Sequence, residues 1–288
     1  MSSVDRFVPQ TTADGSYTFY SEEFQEAFHS SFGAKQEAEV RYIEPCGIKE
    51  LASSKSTIRL LDVCYGLGYN SAAALEAIWS VHPECQVELI ALEISPSVPH
   101  QAIAQNLLEQ WKSPVPQLLA QFSNKSLVKS KFLKAELLLG DARQTIKAVI
   151  KRGWQADAIF LDPFSPPKCP QLWTVEFLSL VASCLAPTGK LATYSCSAAV
   201  RTALLKANLK ISSIIGEGRK SPGTLAAFEY KKIPTLPQKE REHLMTRAAV
   251  PYRDRNLCSL PKQIVEQRQQ EQQQSNLEST SKWRKRWL

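Results

Sequence analysis

No apolar run in this chain of 288 residues approaches the length that spans a bilayer, and the opening M-S-S-V-D-R-F-V lacks a signal-peptide core. A cytoplasmic protein with no membrane partner is therefore expected. Paired cysteines are missing as well: the seven cysteines are scattered singly, without a C-x-x-C, and the odd total suits neither a zinc knuckle nor a disulfide framework. Cys64 and Cys184 lie in apolar runs, where a buried, reduced thiol is expected. The four histidines show no metal-site spacing, so no metal is expected. Net charge is absent from the first 230 residues, which carry 22 basic and 22 acidic side chains. Residues 231–288 hold 13 Lys and Arg against 6 Asp and Glu, so the whole excess of +7 sits in the tail. A basic extension on a neutral domain suits a polyanion, of which nucleic acid is the usual one; the competing reading is a solvated surface helix kept soluble by its Gln and Arg.

The chain does contain alternating strand and helix patterns. Residues Ile58 to Asn70, I-R-L-L-D-V-C-Y-G-L-G-Y-N, read as a buried strand ending in a Gly-x-Gly turn that opens a helix. Gly66 and Gly68 allow a ligand to approach the main chain. The dinucleotide fingerprint wants a third glycine where Ser71 stands, which weakens a nicotinamide or flavin reading. A second apolar strand, V-E-L-I-A-L-E-I-S, ends at Glu93, the position where an acidic side chain receives ribose hydroxyls. A third, L-L-L-G-D-A-R, ends at Asp141 and Ala142. That ordered set of strand ends describes an S-adenosylmethionine site better than a dinucleotide site, with Asp62, Gly66, Gly68, Asn70, Glu93, Asp141 and Ala142 as its expected lining.

A fourth strand, A-I-F-L, runs into L-D-P-F-S-P-P-K-C-P-Q-L-W (Leu161 to Trp173). Asp162 thus sits at a strand's C-terminal end beside an aromatic ring, where open α/β sheets bind ligands. A short acceptor against a flat apolar wall suits an enzyme that holds an amine by its N–H bonds and leaves the lone pair free to attack. The competing reading is an Asp-Pro turn leaving a strand.

The expected organisation is a small N-terminal β/helix unit (1–57), a Rossmann-like α/β domain (58–230) with a seven-stranded, mostly parallel sheet, and a basic C-terminal extension (231–288). Tyr20, Phe24, Phe28 and Phe32 recur every four residues and predict the core stripe of one helix. Ser113 to Lys134 reads as an insertion over the sheet's rim, A-P-T-G-K (Ala186 to Lys190) as a turn, and Ile214 to Phe228 as a terminal hairpin. Trp283 and Trp287, interleaved with Arg284, Lys285 and Arg286, either stack on bases while the cations meet phosphates or cap the extension against the domain.

The segment D-P-F-S-P-P-K-C-P-Q-L-W resembles the D-x-F-[SA]-P-x-K-x-P-x-[ML]-W signature of the methyltransferase part of the MnmC family, which makes 5-methylaminomethyl-2-thiouridine in tRNA. The glycine turn, A-P-T-G-K-L-A-T-Y-S and G-E-G-R-K resemble that family in the same order, over about residues 12–230. The resemblance implies an S-adenosylmethionine-dependent methyltransferase fold. It also implies N-methylation of the 5-aminomethyl group on the wobble uridine of tRNA. Carried over, it makes Asp162 the carboxylate that orients or deprotonates the amine, with Phe164, Pro166 and Lys168 shaping the pocket. Gly66 and Gly68 would bend around the methionine moiety, Glu93 hold the ribose and Asp141 face the adenine. Lys168, Arg219 and Lys220 are candidates for the tRNA backbone, with solvent as the alternative for Lys168. Bifunctional members also carry a flavin oxidase domain, for which this chain has neither the length nor a second glycine-rich turn. A stand-alone methyltransferase is expected, with a separate enzyme supplying the aminomethyl substrate. Three alternatives stay open: a spermidine-synthase-like aminopropyltransferase, an adenine N-methyltransferase, whose compact D-P-P-Y signature differs at Phe164, and a non-catalytic tRNA-binding protein.

Overall fold

The apolar run before the glycine turn forms β5 (Thr57–Val63), and its burial on both faces is what a central parallel strand requires. A computed structural model describes residues 7–215, 221–229 and 233–287 of the chain. Among them the central sheet has eight strands rather than the expected seven, and the chain folds as two compact units.

The first unit spans residues 1–145 and 156–162. Its strands are β5, β6 (Gln86–Glu93), β7 (Leu127–Lys129), β8 (Leu133–Leu139) and β9 (Ala156–Leu161), in the order β9-β5-β6-β8-β7. The first four in that order run parallel, while β7 pairs antiparallel with β8 at the edge. The chain lays down β5, β6 and β8 in one direction and then returns to place β9 on the other side of β5. The strand order therefore reverses between β5 and β9, which opens a crevice outside their carboxyl ends. Helix α4 (Tyr69–Val81) follows β5; its alanine-rich sequence buries most of the helix, from Tyr69 through Leu75, then Ala77 and Ile78.

The stretch read as a rim insertion instead contributes to the layers. Helix α6 (Val115–Lys125) buries Val115, Leu119, Phe122 and Ser123 and leaves Gln117, Gln121, Asn124 and Lys125 exposed, and β7, three residues long, is the strand the periodicity did not show. Four short N-terminal strands pair as β1 (Gln10–Thr11) with β2 (Tyr17–Thr18), and β3 (Tyr20–Ser21) with β4 (Glu26–Ala27). The predicted helix from Tyr20 to Phe32 is absent. Ser21 Oγ accepts the Phe24 amide at 3.3 Å, Gln25 adopts a left-handed φ of 49°, and the turn so made returns the chain as β4. Of the four aromatics, Phe28 packs edge-on to Phe7 and Phe19, whereas Tyr20 and Phe32 are exposed. Helices α1 (Ala34–Ala38), α2 (Glu44–Cys46) and α3 (Ile48–Ser54) lead into β5, with a π-helical turn at Glu39–Ile43 between the first two. Helix α5 (Ser97–Ala104) follows β6, and α7 (Ala142–Lys151) follows β8 across the division between units.

The second unit comprises residues 146–155 and 163–288. Helix α8 (Val175–Ser183) precedes β10 (Leu185–Thr193), and α9 (Ala198–Lys206) precedes β11 (Lys210–Ile214) and β12 (Gly223–Ala227). Strand β12 pairs antiparallel with both β10 and β11, so the expected terminal hairpin forms. A-P-T-G-K is strand rather than turn: Pro187 and Gly189 lie ahead of Leu191–Thr193, the residues paired with β12, where a missing N–H costs that ladder nothing. Cys184 is buried as expected, but Cys64 is only half-buried and adopts a left-handed φ of 70°.

The extension folds as α10 (Gln238–His243), α11 (Pro261–Gln274) and α12 (Thr280–Trp287). It is fastened through Arg201 on α9, only 2% exposed, whose guanidinium donates to Thr224 Oγ1 at 2.9 Å, Ser213 Oγ at 3.0 Å and Glu240 Oε2 at 2.5 Å. Arg268 on α11 donates to the carbonyls of Val250 and Ala248 and lies 4.5 Å over the Tyr252 ring. Among the described residues no helix is long and apolar enough to cross a membrane.

Candidate active site

Two carboxylates at the carboxyl ends of β5 and β9 define the crevice. Asp62, the penultimate residue of β5, is fully buried and accepts a bond from Ser71 Oγ at 2.6 Å. Burial pushes its carboxyl well above the usual range; the Ser71 bond opposes that, and the negative fields of Asp162 and Glu93 add to it. Asp162, the residue after β9, is half-buried, and its amide donates to the Val63 carbonyl at 3.1 Å, which registers it against the end of β5. Its side chain is held from two sides. Tyr42 Oη donates to Oδ1 at 2.5 Å and Asn70 Nδ2 donates to Oδ2 at 2.9 Å. Asn70, expected to line the cofactor, thus also positions Asp162.

Tyr42 carries no signal in the sequence, since it stands 120 residues from its partner. It belongs to the π-helical turn before α2, is fully buried, and packs edge-on to Phe160, with ring centroids 6.0 Å apart. Single π turns are rare and recur at functional positions.

The glycine turn is shaped for a ligand's close approach. Gly66 and Gly68 both take left-handed φ values, 55° and 85°. A Cβ on Gly68 would collide with the hydroxyl of buried Tyr65, whereas one on Gly66 would make ordinary contacts with the Phe28 ring edge at 3.5 Å and the Cys64 carbonyl at 3.9 Å. Glu93 clamps this turn: Oε2 accepts the Gly66 amide at 2.9 Å, and Oε1 accepts the amides of Ile94 at 2.8 Å and Ser95 at 3.3 Å. Burial raises its carboxyl above the usual range, against those three backbone bonds. Gly140, at the end of β8, donates to the Glu93 carbonyl at 2.8 Å, so the ends of β6 and β8 are tied together. Asp141 opens α7 and is chelated by Arg143, whose Nε and Nη2 reach its Oδ2 at 3.1 and 2.7 Å; Ala142 is buried beside it. A glycine bend at Gly66, a buried acid with one lone-pair site left beside its three backbone bonds and a third acidic strand end make a donor set that fits an adenosine-containing sulfonium.

In the second unit the motif after Asp162 is a pinned turn. Trp173, fully buried, donates from Nε1 to the Phe164 carbonyl at 2.8 Å, and Tyr194 Oη donates to the Pro163 carbonyl at 2.8 Å. The amides of Lys168 and Cys169 both return to the Ser165 carbonyl. Phe164 is half-buried, Pro166 buried and Lys168 exposed. Arg219 and Lys220 lie outside the described residues.

The fold and the glycine turn define the class, that of S-adenosyl-L-methionine-dependent methyltransferases, and a family model described in those words matches residues 99–229. A crystal structure of MNMC2 from Aquifex aeolicus superposes with a TM-score of 0.81 and 34% identity, covering 93% of this chain and 86% of that one. An uncharacterized Methanocaldococcus jannaschii protein is 32% identical over 267 residues, 90% of this chain and 70% of its own length. The tRNA 5-methylaminomethyl-2-thiouridine biosynthesis bifunctional protein MnmC of Ralstonia nicotianae is 27% identical over 234 residues. The match covers 76% of this chain but 34% of that protein, so the chain spans about a third of its bifunctional relative. The chain belongs to the MnmC-type methyltransferase family. It is an enzyme, and its cofactor is S-adenosyl-L-methionine.

Proposed function

We propose that the protein transfers a methyl group from S-adenosyl-L-methionine to the aminomethyl nitrogen on the wobble uridine of tRNA. The observation that carries the reading is the Asp162 carboxylate, gripped by Tyr42 and Asn70 at the switch point of the sheet. An alkylammonium has no lone pair, so the amine must arrive neutral. Tyr42 and Asn70 fix the orientation of the Asp162 carboxylate, an acceptor-only group suited to an N–H of the incoming amine. Held so, the nitrogen points its own lone pair at the donor methyl, and the acceleration is mostly positional. The bound cofactor would supply the methyl group, the nitrogen–carbon bond forming as the sulfur–carbon bond breaks to give S-adenosylhomocysteine, and Asp162 or solvent would take the surplus amine proton.

Gly66 and Gly68 admit the methionine end of the cofactor, Glu93 receives the ribose hydroxyls, and Ala142 with Asp141 borders the adenine. Asp62 acts through Ser71 by fixing the β5–α4 turn. The resemblance assigns Phe164, Pro166, Lys168, Arg219 and Lys220 to the substrate. The names of the bifunctional relatives support the tRNA assignment. Nucleoside mass spectrometry of bulk tRNA from cells lacking the protein tests it. The expected result is accumulation of the unmethylated 5-aminomethyl nucleoside, and an unchanged nucleoside profile would overturn the assignment.

A further inference from the structure

We infer that α12, seated on α10, is an RNA-docking surface: an anchored, exposed cluster of cations that grips the phosphate backbone of the substrate. The inference rests on the tRNA reading and adds the surface by which that RNA is held.

The aromatic residues of α12 are spent on anchoring it. Trp283 donates from Nε1 to the Lys239 carbonyl at 3.2 Å and stacks on His243, with centroids 4.2 Å apart and planes 16° from parallel. Trp287, one helical turn on, donates to Glu242 Oε2 at 2.8 Å. Arg286 reaches the same Glu242 at 3.3 Å and chelates Glu278, at 2.5 and 2.8 Å. Burial and the neighbouring Arg201 and Arg284 push the His243 imidazole below its ordinary value. Of the two readings of K-W-R-K-R-W, the tryptophans therefore cap the extension. They are not free to stack on bases.

That anchoring leaves three cations of the helix at its surface. Lys282, Arg284 and Lys285 are exposed, and they carry no ion pair among the described residues. On α10, Lys239 and Arg241 are exposed as well. Two packed helices thus present five cations, in the part of the chain that holds its entire charge excess. A solvated helix has no need to fix its cations by packing two tryptophans and an arginine beneath them. A partner of fixed charge spacing does, because pre-ordered cations lose less freedom on binding. Phosphate contacts of this kind position a nucleic acid without reading its sequence.

The test uses the full-length protein carrying K282E, R284E and K285E together, with a milder K282Q, R284Q and K285Q variant beside it. Affinity for bulk tRNA is measured between 50 and 200 mM KCl. The inference expects the glutamine variant to bind tRNA about tenfold more weakly, with a log–log salt slope smaller by roughly 2 to 3, as three lost phosphate contacts require. Melting temperature and S-adenosylmethionine affinity should hold. Unchanged tRNA affinity and slope in both variants would overturn the surface, whatever the wild type methylates. Wild type that binds tRNA with the expected salt slope but never methylates it would sink the substrate reading and leave the surface standing.

Discussion

Replacing Tyr42 with Phe removes one oxygen and tests whether the grip on Asp162 contributes to turnover. Tyr42 is fully buried and its hydroxyl lies 2.5 Å from Asp162 Oδ1, so Y42F removes that bond while the ring keeps its packing against Phe160. A hydrogen bond to a charged acceptor contributes about 1.5–3 kcal/mol. If the carboxylate needs that bond to hold the orientation the amine requires, the same energy reappears in the barrier, and at about 1.4 kcal/mol per decade the methyl-transfer rate falls roughly 10- to 100-fold. The assay is single-turnover methyl transfer to tRNA bearing the aminomethyl nucleoside, with calorimetric S-adenosylmethionine affinity alongside. Cofactor affinity should stay within about twofold, because the deleted hydroxyl bonds to the Asp162 carboxylate and not through the glycine turn's own clamp, Glu93 to Gly66. Asn70→Ala should act through the same carboxylate, so the double variant should lose less than the product of the two single losses. A Y42F enzyme with wild-type single-turnover rate would refute the positioning argument.

Gly68→Ala should lose both stability and cofactor affinity: a left-handed φ of 85° and a collision with buried Tyr65 together cost about 1–3 kcal/mol, readable as a lowered unfolding midpoint and a raised Kd. Asp62→Asn should flatten the pH dependence of stability. Because the folded state raises the Asp62 pKa, it binds the proton more tightly than the unfolded chain, so wild type loses stability as pH climbs from the ordinary carboxylate range through the folded pKa. The amide has no proton to lose, so denaturant midpoints measured across pH 5 to 9 should diverge in that direction, and parallel curves would remove Asp62 from the argument. Arg201→Met should destabilise the protein by about 3–5 kcal/mol in chemical denaturation, since it strands Glu240 without its buried partner and frees α10.

The sequence made the strand ends legible because each is a run of buried residues stopping at a residue with a chemical reason to be there. Gly66, Glu93 and Asp162 were readable for that reason, and the turn at Gly68 set the start of α4. What escaped was contact between distant segments. Tyr42 could not be found from its neighbours, since its only distinguishing property is a partner 120 residues away. Asn70 was placed with the cofactor because the glycine turn lies beside it, and only the folded chain shows its amide on Asp162. The four aromatics from Tyr20 to Phe32 misled because a four-residue period is also produced by short strands alternating with turns. Strand β7 is three residues at an edge, too short to show periodicity. For Trp283 and Trp287 composition allowed two roles, and the indole hydrogen bonds to Lys239 and Glu242 decide between them.

The most direct measurement compares wild type with Asp162→Ala on purified tRNA carrying the 5-aminomethyl nucleoside at the wobble position, with the methylated product scored by mass spectrometry. The account predicts one added methyl on that nitrogen with wild type. It predicts a loss of two or more decades in rate for the variant, with S-adenosylmethionine affinity intact. Undiminished methylation by the variant would contradict the account.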